Sequence, residues 1–220
     1  MIKMPDNDLA YDYETFFHLT VNTSRMGKFL AHYEAYKMIR NIPGALVECG
    51  VFKGTSFARF AQFRSLLDNQ ESMKIIGFDV FNDETPTTAF EEDQEFRDHW
   101  IETAGPSSIG VEQLESVFDD MKISNFELIA GDAVVTVPEY ARTHPELRIA
   151  LLNVDIDYVE PTMAVMETFY DRVMPGGVIL LDNYAAYHGD TKGIDDFLKI
   201  RDAKILRFPF AARPAYIIKT

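Results

Sequence analysis

Short apolar runs alternate with amphipathic stretches along almost the whole 220-residue chain. The runs are rich in Val, Ile, Leu and Phe and are bounded by turn residues, as is typical of strands buried on both faces of a parallel sheet. The stretches between them repeat apolar residues at helical spacing, which predicts an α/β fold with helices on both sides of the sheet. The predicted strands are Ala45–Cys49, Lys74–Asp79, Phe126–Ala130, Ile149–Asp155, Val178–Asp182, Lys204–Phe208 and Ala215–Lys219.

The same pattern predicts the helices, including an N-terminal helical region, and the pairing of the last two strands. An N-terminal helical region covers about Tyr11–Ile42. The last two strands are separated only by Pro209–Pro214, so we expect an antiparallel hairpin at one edge of the sheet. The other predicted helices are Thr55–Leu67, Val111–Met121, Asp132–Arg142, Pro161–Val173 and Thr191–Ile200.

The stretch Phe81–Ser124 is longer than an ordinary connection between a strand and a helix. It is acidic and aromatic, which favours a lid or an insertion on the acceptor side of a site, although a surface loop fits the same composition. No Pro-, Gly- or Ser-rich linker divides the chain. Residues 1–220 are therefore predicted to form one domain, with 1–42 as an N-terminal helical region and 81–124 as the insertion.

Composition narrows the class of protein. Hydrophobic residues make up 47% of the chain, enough for a buried core, and no apolar run reaches the ~20 residues of a membrane helix. The net charge is −14, from 35 acidic and 21 basic residues, so we expect a small-molecule partner and neither nucleic acid nor membrane. The single cysteine, Cys49, lies in a predicted strand, and the chain starts without the apolar segment of a signal peptide, so we expect the cytoplasm.

A glycine-containing loop follows the first predicted strand and leads into a helix. Glycines at positions 50 and 54 let the backbone turn tightly and approach a ligand closely, and free N–H groups at the helix start can bind a carboxylate. The spacing Glu-x-Gly-x-x-x-Gly is neither a dinucleotide fingerprint nor a Walker loop, and a plain strand-to-helix turn would also use such glycines. The candidate cofactor-binding residues of this loop are Glu48, Gly50, Val51, Gly54, Thr55 and Ser56.

Two further strand ends add polar groups that suit a nucleoside. The second strand ends at Asp79, whose carboxylate can accept hydrogen bonds from both ribose hydroxyls at the carboxyl edge of the sheet. The third strand ends in Gly131-Asp132-Ala133, a suitable position for contact with an adenine ring. Each acid alone would also fit a solvated surface position. Three such features at one edge predict a nucleoside-containing cofactor.

The fourth and fifth strands end in oxygen-rich side chains. Asp155 ends the fourth strand, and Asp182 and Asn183 end the fifth. Neighbouring strands would bring these groups together, and two carboxylates with an amide oxygen suit Mg²⁺ or another hard divalent cation. The same acids also fit caps of the following loops and helices. No Cys and His pattern indicates zinc.

Residues near these strand ends are candidates for the general base. His188 has an ordinary pKa near ~6.5, suitable for a base, although a loop histidine is as typical of a surface position. Asp157 is a second candidate, and Asp155 would act through the cation that it binds. Arg25, Lys28 and Lys53 could contact a nucleotide-linked sugar, although surface solvation is the more ordinary role of each.

Three segments together resemble the macrocin O-methyltransferase family. They are Val47-Glu-Cys-Gly-Val-Phe-Lys-Gly54, Asn153-Val-Asp-Ile-Asp-Tyr-Val-Glu-Pro-Thr162 and Asp171-Arg-Val-Met-Pro-Gly-Gly-Val-Ile-Leu-Leu-Asp-Asn-Tyr184, and the likeness extends from about Ile42 to Thr220. The chain has Asp182-Asn-Tyr-Ala where the family commonly has Asp-Asp-Tyr-Gly. Asp-Asn also resembles the metal pair of catechol-type O-methyltransferases.

The resemblance implies a three-layer, Rossmann-like class I methyltransferase fold with a seven-stranded, mostly parallel sheet in the order 3-2-1-4-5-7-6. It also implies S-adenosylmethionine as cofactor, a divalent cation, usually Mg²⁺, and a homo-oligomer. The expected activity is metal-assisted methylation of a hydroxyl on a sugar or a sugar-containing product. Alternatives are N-methylation, a metal-dependent reaction like that of cephalosporin-hydroxylase relatives, and a non-catalytic nucleoside-binding protein.

Overall fold

A computed structural model describes residues 1–82, 93, 98–99, 101–102 and 104–220. The described residues form a seven-stranded sheet in the order β3-β2-β1-β4-β5-β7-β6, with β7 antiparallel to both of its neighbours. This confirms the predicted fold class and strand order. The strands are β1 Ala45–Cys49, β2 Ile75–Asp79, β3 Phe126–Ala130, β4 Ile149–Val154, β5 Val173–Leu181, β6 Leu206–Arg207 and β7 Ala215–Ile218.

The helices lie close to their predicted positions, with shifts at several ends. The N-terminal helical region contains two helices, and a single 3₁₀ turn, Tyr170–Arg172, separates the sixth helix from β5. The predicted helix Pro161–Val173 is therefore wrong at its C-terminal end, because Val173 is already in β5. The described helices are α1 Ala10–Thr20, α2 Thr23–Ile39, α3 Thr55–Leu67, α4 Val111–Asp120, α5 Ala133–Thr143, α6 Val159–Phe169 and α7 His188–Leu198.

Two apolar cores, one on each face of the sheet, hold the three layers together. Side chains alternate along β1, so that Val47 and Cys49 join the core under α5, α6 and α7, whereas Leu46 joins the core under α2, α3 and α4. Glu48 points to the same face as Leu46 and is fully buried. A carboxyl group therefore lies within a mostly apolar layer.

The sheet reverses its strand order at β1, which pairs with β2 on one side and with β4 on the other. In open α/β sheets this is the place where ligands bind, at the carboxyl ends of the strands. Backbone hydrogen bonds extend the ladder past the strand ends here. The amide of Asp155 donates to Cys49 (2.9 Å), and that of Asp182 donates to Val154 (3.0 Å). The loops after β1, β4 and β5 therefore start side by side.

Helix α2 covers this edge of the sheet. Small residues four positions apart, Gly27, Ala31 and Ala35, are buried, so the helix packs closely against its surroundings. Helix α1, in contrast, has no buried residue. Among the described residues, none of the helices is both long and apolar enough to cross a membrane. Part of the predicted insertion, residues 83–92, 94–97, 100 and 103, lies outside the described residues.

Candidate active site

The loop after β1 requires glycine at its first bend. Gly50 has a φ of +95°, and a Cβ added there would lie 1.8 Å from the carbonyl oxygen of Asp155. No side chain fits such an approach, so the loop packs directly on the backbone that follows β4. Gly54, at φ +79°, then precedes α3 in the left-handed conformation, and Thr55 and Ser56 form the first turn of that helix. The positive φ angles therefore explain why glycine occupies both predicted positions.

Asp79 fixes this loop from the neighbouring strand. Its Oδ2 accepts hydrogen bonds from the backbone amides of Val51 (2.6 Å) and Phe52 (2.7 Å), and its Oδ1 accepts from Phe81 (3.2 Å). One carboxylate thus holds two successive N–H groups of the loop in place. Its predicted contact with a ribose remains a prediction.

The predicted adenine-side residues lie at the same edge. Gly131 donates its amide to the carbonyl of Asp79 (2.9 Å), so the ends of β2 and β3 are joined. Asp132 is the N-cap of α5, and its side chain accepts from the amide of Val134 (2.9 Å). Ala133 is the first residue of that helix. Asp132 therefore caps a helix, and its use by a ligand remains a prediction.

Glu48 lies beneath the loop rather than in it. Its Oε1 accepts a hydrogen bond from the Ser56 hydroxyl (2.6 Å), and among the described residues its Oε2 has no hydrogen-bond partner. Complete burial raises the pKa of Glu48 to about 8, although the bond from Ser56 acts in the opposite direction. Ser56 lines the cavity above and Glu48 does not, so the contact of Glu48 with a cofactor remains a prediction.

A cavity of about 370 Å³ joins the glycine loop to the acidic cluster. One wall contains residues 50–53 with Thr55 and Ser56, and the other contains Asp155, Asp157, Asp182 and Asn183. The loop and the acidic cluster therefore share one space, whereas Asp79 and the predicted adenine-side residues 131–133 do not line it. His188 lies elsewhere: it is exposed and lines a separate outer groove of about 570 Å³ beside α7. The outer groove has the larger volume, but it contains neither the loop nor the acidic cluster.

The carboxylates of the cluster surround a lysine from α2. The Nζ of Lys28 lies 2.5 Å from Oδ2 of Asp182 and 3.2 Å from Oδ2 of Asp155. The Lys28 side chain is only 20% exposed and that of Asp182 only 2% exposed. The expectation that Lys28 is a solvated surface residue is therefore wrong. Arg25, one turn earlier, is exposed at the mouth of the cavity.

The amide of Asn183 connects the remaining groups. Its Nδ2 donates to Oδ1 of Asp155 (3.1 Å) and to Oδ1 of Asp157, and its Oδ1 accepts from the guanidinium of Arg213 (3.2 Å). This orientation follows from the partners, because an amide oxygen turned toward two carboxylates would be repelled. Asp157 has a φ of +76°, which is uncommon for a residue with a side chain.

Burial and mutual repulsion shift the pKa values of the cluster. Burial and the Asp182 charge raise the pKa of Asp155 to about 6, against the lowering effect of Lys28. Burial and the Asp190 charge raise the pKa of Asp157 well above its ordinary range. Burial alone would lower the pKa of Lys28, but the charges of Asp155 and Asp182 outweigh it and raise that pKa. Lys28 is therefore a cation at neutral pH.

A second polar group lies behind Lys28 on the same side of α2. His32 is fully buried, and its Nε2 is 3.7 Å from Oδ1 of Asp182, too far for a hydrogen bond. Burial and the neighbouring Lys28 charge lower the pKa of His32 well below its ordinary value. Arg59 of α3 contacts the Nδ1 of this ring at 3.2 Å. The only sequence signal for His32 and Lys28 is their spacing of four, which places them on one face of a helix.

The donor atoms do not fit a divalent cation in this arrangement. The position between Asp155 and Asp182 is taken by an ammonium, and the oxygen of Asn183 is turned toward a guanidinium. Within the described ranges, no group of three or more His, Cys, Asp or Glu side chains is placed to hold a metal ion. The predicted ligands Asp155, Asp182 and Asn183 are thus brought together, whereas the predicted ion remains a prediction.

Known proteins with similar sequence and structure agree on one chemistry. A curated relative from Streptomyces olivaceus, 8-demethyl-8-(2,3-dimethoxy-α-L-rhamnosyl)-tetracenomycin-C 4'-O-methyltransferase, is 27% identical over 82% of this chain and 69% of its own. The calicheamicin methyltransferase CalS11 shares the fold with a TM-score of 0.75 and 23% identity over 97% of this chain and 86% of its own. The O-methyltransferase NovP gives a TM-score of 0.71 with 17% identity over 88% and 80%.

The sequence profile of one family spans nearly the whole chain. The profile described as macrocin-O-methyltransferase (TylF) matches residues 5–209. The match includes the glycine loop, both halves of the acidic cluster and helix α2. This protein therefore belongs to the macrocin-O-methyltransferase family, whose methyl donor is S-adenosylmethionine.

Proposed function

We propose that the protein transfers the methyl group of S-adenosylmethionine to a hydroxyl of a sugar or of a sugar-containing product. The observation behind this is a cavity in which the glycine loop faces Asp155, Asp157 and Asp182. The name of the Streptomyces olivaceus relative gives a rhamnosyl group as its substrate and a 4'-hydroxyl as its position. A deoxysugar hydroxyl is therefore the acceptor class that we propose for this chain.

On the donor side, the loop from Gly50 to Ser56 would hold the methionine end of the cofactor, and Asp79 its ribose. The free amides at the start of α3 suit a carboxylate. The close approach at Gly50 leaves backbone rather than side chain at the cavity wall, so a ligand can lie near β1. Asp132 with its neighbours Gly131 and Ala133 would then border the adenine.

The chemical step needs orientation and a proton acceptor. The acceptor oxygen attacks the methyl carbon of the sulfonium, an O–C bond forms, the C–S bond breaks, and the neutral thioether of adenosylhomocysteine leaves. The acceptor proton must go to a base. We assign this role to Asp155, because it lines the cavity and its carboxylate is 19% exposed there, whereas exposed His188 lies outside the cavity. Close alignment of donor and acceptor provides the proximity effect.

A magnesium ion at Asp155, Asp182 and Asn183 is the finer prediction from the sequence. These residues would be its ligands, and it would lower the pKa of the acceptor hydroxyl. Lys28 and Arg213 occupy the atoms that such an ion needs, so the ion is not part of the proposed reaction.

The proposal is tested by calorimetry and by transfer of labelled methyl. Wild type should bind S-adenosylmethionine and methylate a rhamnosylated acceptor. Asp155→Asn should bind the cofactor equally well but lose roughly a hundredfold or more in kcat, the ordinary contribution of a general base. Asp157→Asn is the matched control and should lose less. Methylation of amino sugars alone would replace the proposal by N-methylation, and failure to bind the cofactor would overturn it.

A further inference from the structure

Lys28 comes from a part of the chain that is remote from the other site residues. It belongs to the second turn of α2, whereas the carboxylates it contacts follow β4 and β5. This end of α2 packs closely, because Gly27 is buried against Phe210 and Ala211 of the loop before β7, and Ala31 is also buried. The lysine stem is thereby directed into the cavity, and its ammonium ends between two carboxylates rather than in solvent.

Two carboxylates contact the ammonium of Lys28, and a neutral amide lies beside them. Asp155 and Asp182 each direct Oδ2 at the ammonium, at 3.2 and 2.5 Å. At the next position in the chain, Asn183 contributes a neutral amide, not a third carboxylate. Its Nδ2 donates to Asp155, and its oxygen is bound by Arg213. For a divalent ion to bind, the ammonium of Lys28 would have to leave the two carboxylates. The amide of Asn183 would also have to rotate, and Arg213 would then lose its hydrogen-bond acceptor.

We propose that the ammonium of Lys28, in place of a divalent metal, is the resident cation of the acceptor site. It holds Asp155 and Asp182 in position and donates a hydrogen bond to the acceptor oxygen during methyl transfer. This role in the reaction rests on the proposed function, whereas the exclusion of a metal from the site does not. An ammonium within ~4 Å of a divalent ion repels it strongly, so Lys28 and a metal cannot share the position.

The test is Mn²⁺ binding, followed by electron paramagnetic resonance, to wild type, Lys28→Met and Lys53→Met. Methionine keeps much of the length of lysine without its charge. Lys28→Met should bind Mn²⁺ roughly tenfold or more tightly than wild type, since ~1.4 kcal/mol of relieved repulsion is tenfold in affinity. Lys53 lines the same cavity but donates to the carbonyl of Ala104 (2.6 Å), so Lys53→Met should bind as wild type does.

Thermal unfolding gives a second measurement. Lys28→Met leaves two close carboxylates without their cation, so it should melt below wild type, and Mn²⁺ should restore its melting temperature. The same ion should leave wild type unchanged. Equal Mn²⁺ affinity in wild type and Lys28→Met would overturn the proposal.

If Lys28→Met does not fold, Mn²⁺ binding to wild type and to Asp182→Asn still tests the proposal. One Mn²⁺ bound per wild-type chain, and lost in Asp182→Asn, would overturn the assignment. No such binding, together with methyl transfer that survives chelation, supports it. Calorimetry with S-adenosylmethionine separates the two proposals. Failure to bind the cofactor rejects the proposed function, while the Mn²⁺ measurements still decide what occupies the cation position.

Discussion

Replacing Glu48 by Gln should stabilise the cofactor-free protein at neutral and alkaline pH. Glu48 is fully buried, and only one of its oxygens is bonded, to the Ser56 hydroxyl at 2.6 Å. Burial raises its pKa from 4.5 to about 8. Glutamine has the same shape and still offers an acceptor oxygen to Ser56, so Glu48→Gln removes the titration and little else.

The size of the effect follows from the two pKa values. Above pH 4.5 the unfolded chain releases the Glu48 proton, whereas the folded chain keeps it until about pH 8. The favourable contribution of this group is therefore complete below pH 4.5 and is lost as the pH rises to 8. At ~1.36 kcal/mol for each pKa unit, the whole difference has an upper limit of ~5 kcal/mol. We expect Glu48→Gln to be ~2 to 5 kcal/mol more stable than wild type at pH 8, and only ~1 at pH 5.

The assay is urea unfolding of the cofactor-free proteins from pH 5 to 8, followed by circular dichroism. Glu127→Gln is the matched control. Partial burial would raise the pKa of Glu127, but hydrogen bonds from Lys74 and Tyr140 outweigh burial and lower it. Glu127→Gln should therefore lose stability at pH 8, the opposite sign. An equal gain for Glu48→Gln at pH 5 and pH 8 would refute the reasoning, because burial of an ionisable group could then not be the cause.

Three other substitutions test separate parts of the structure. Gly50→Ala should lower the free energy of unfolding by ~3 kcal/mol or more and abolish S-adenosylmethionine binding in calorimetry, because its Cβ would meet the Asp155 carbonyl at 1.8 Å. Arg64→Met should cost ~3 kcal/mol in urea unfolding without changing cofactor affinity, because buried Arg64 donates to the carbonyls of Met73 and Asn125 at 2.7 and 2.8 Å. His188→Ala should keep kcat within about twofold of wild type, since His188 is exposed outside the cavity; a loss of kcat comparable to that of Asp155→Asn would make it the base.

The sheet could be predicted from the sequence because its strands are short, apolar and separated by clear helical patterns. β1, β3 and α3 begin and end at their predicted residues. The error at the end of α6 has a definite cause. The turn Tyr170–Arg172 that separates the helix from β5 contains no glycine or proline, the residues that usually mark such a boundary. Hydrophobic pattern alone cannot separate the end of a buried helix from the start of a buried strand.

The strand-end residues were predictable for a simpler reason. Carboxyl ends of parallel strands meet at one edge, so Asp79, Asp155 and Asp182 had to lie together once the strand order was known. His188 also follows the end of a strand, β5, in the sequence. It is, however, the first residue of α7, and its side chain is exposed. A position soon after a strand end therefore predicts that a residue lies in the loop at that edge. It does not predict whether the side chain of that residue lines the cavity.

The charge at the centre of the site is the part that local sequence could not provide. Lys28 is 127 residues from Asp155 in the chain, and nothing near it distinguishes it from a solvated lysine on an amphipathic helix. The identity of Asn183 did not reveal it, since an amide oxygen also suits a divalent ion. Its orientation is informative, because its oxygen accepts from Arg213 and its Nδ2 donates to Asp155. The orientation of Asn183 and the position of Lys28 are thus two parts of one electrostatic arrangement, and only the packing of α2 on the sheet brings Lys28 to the carboxylates.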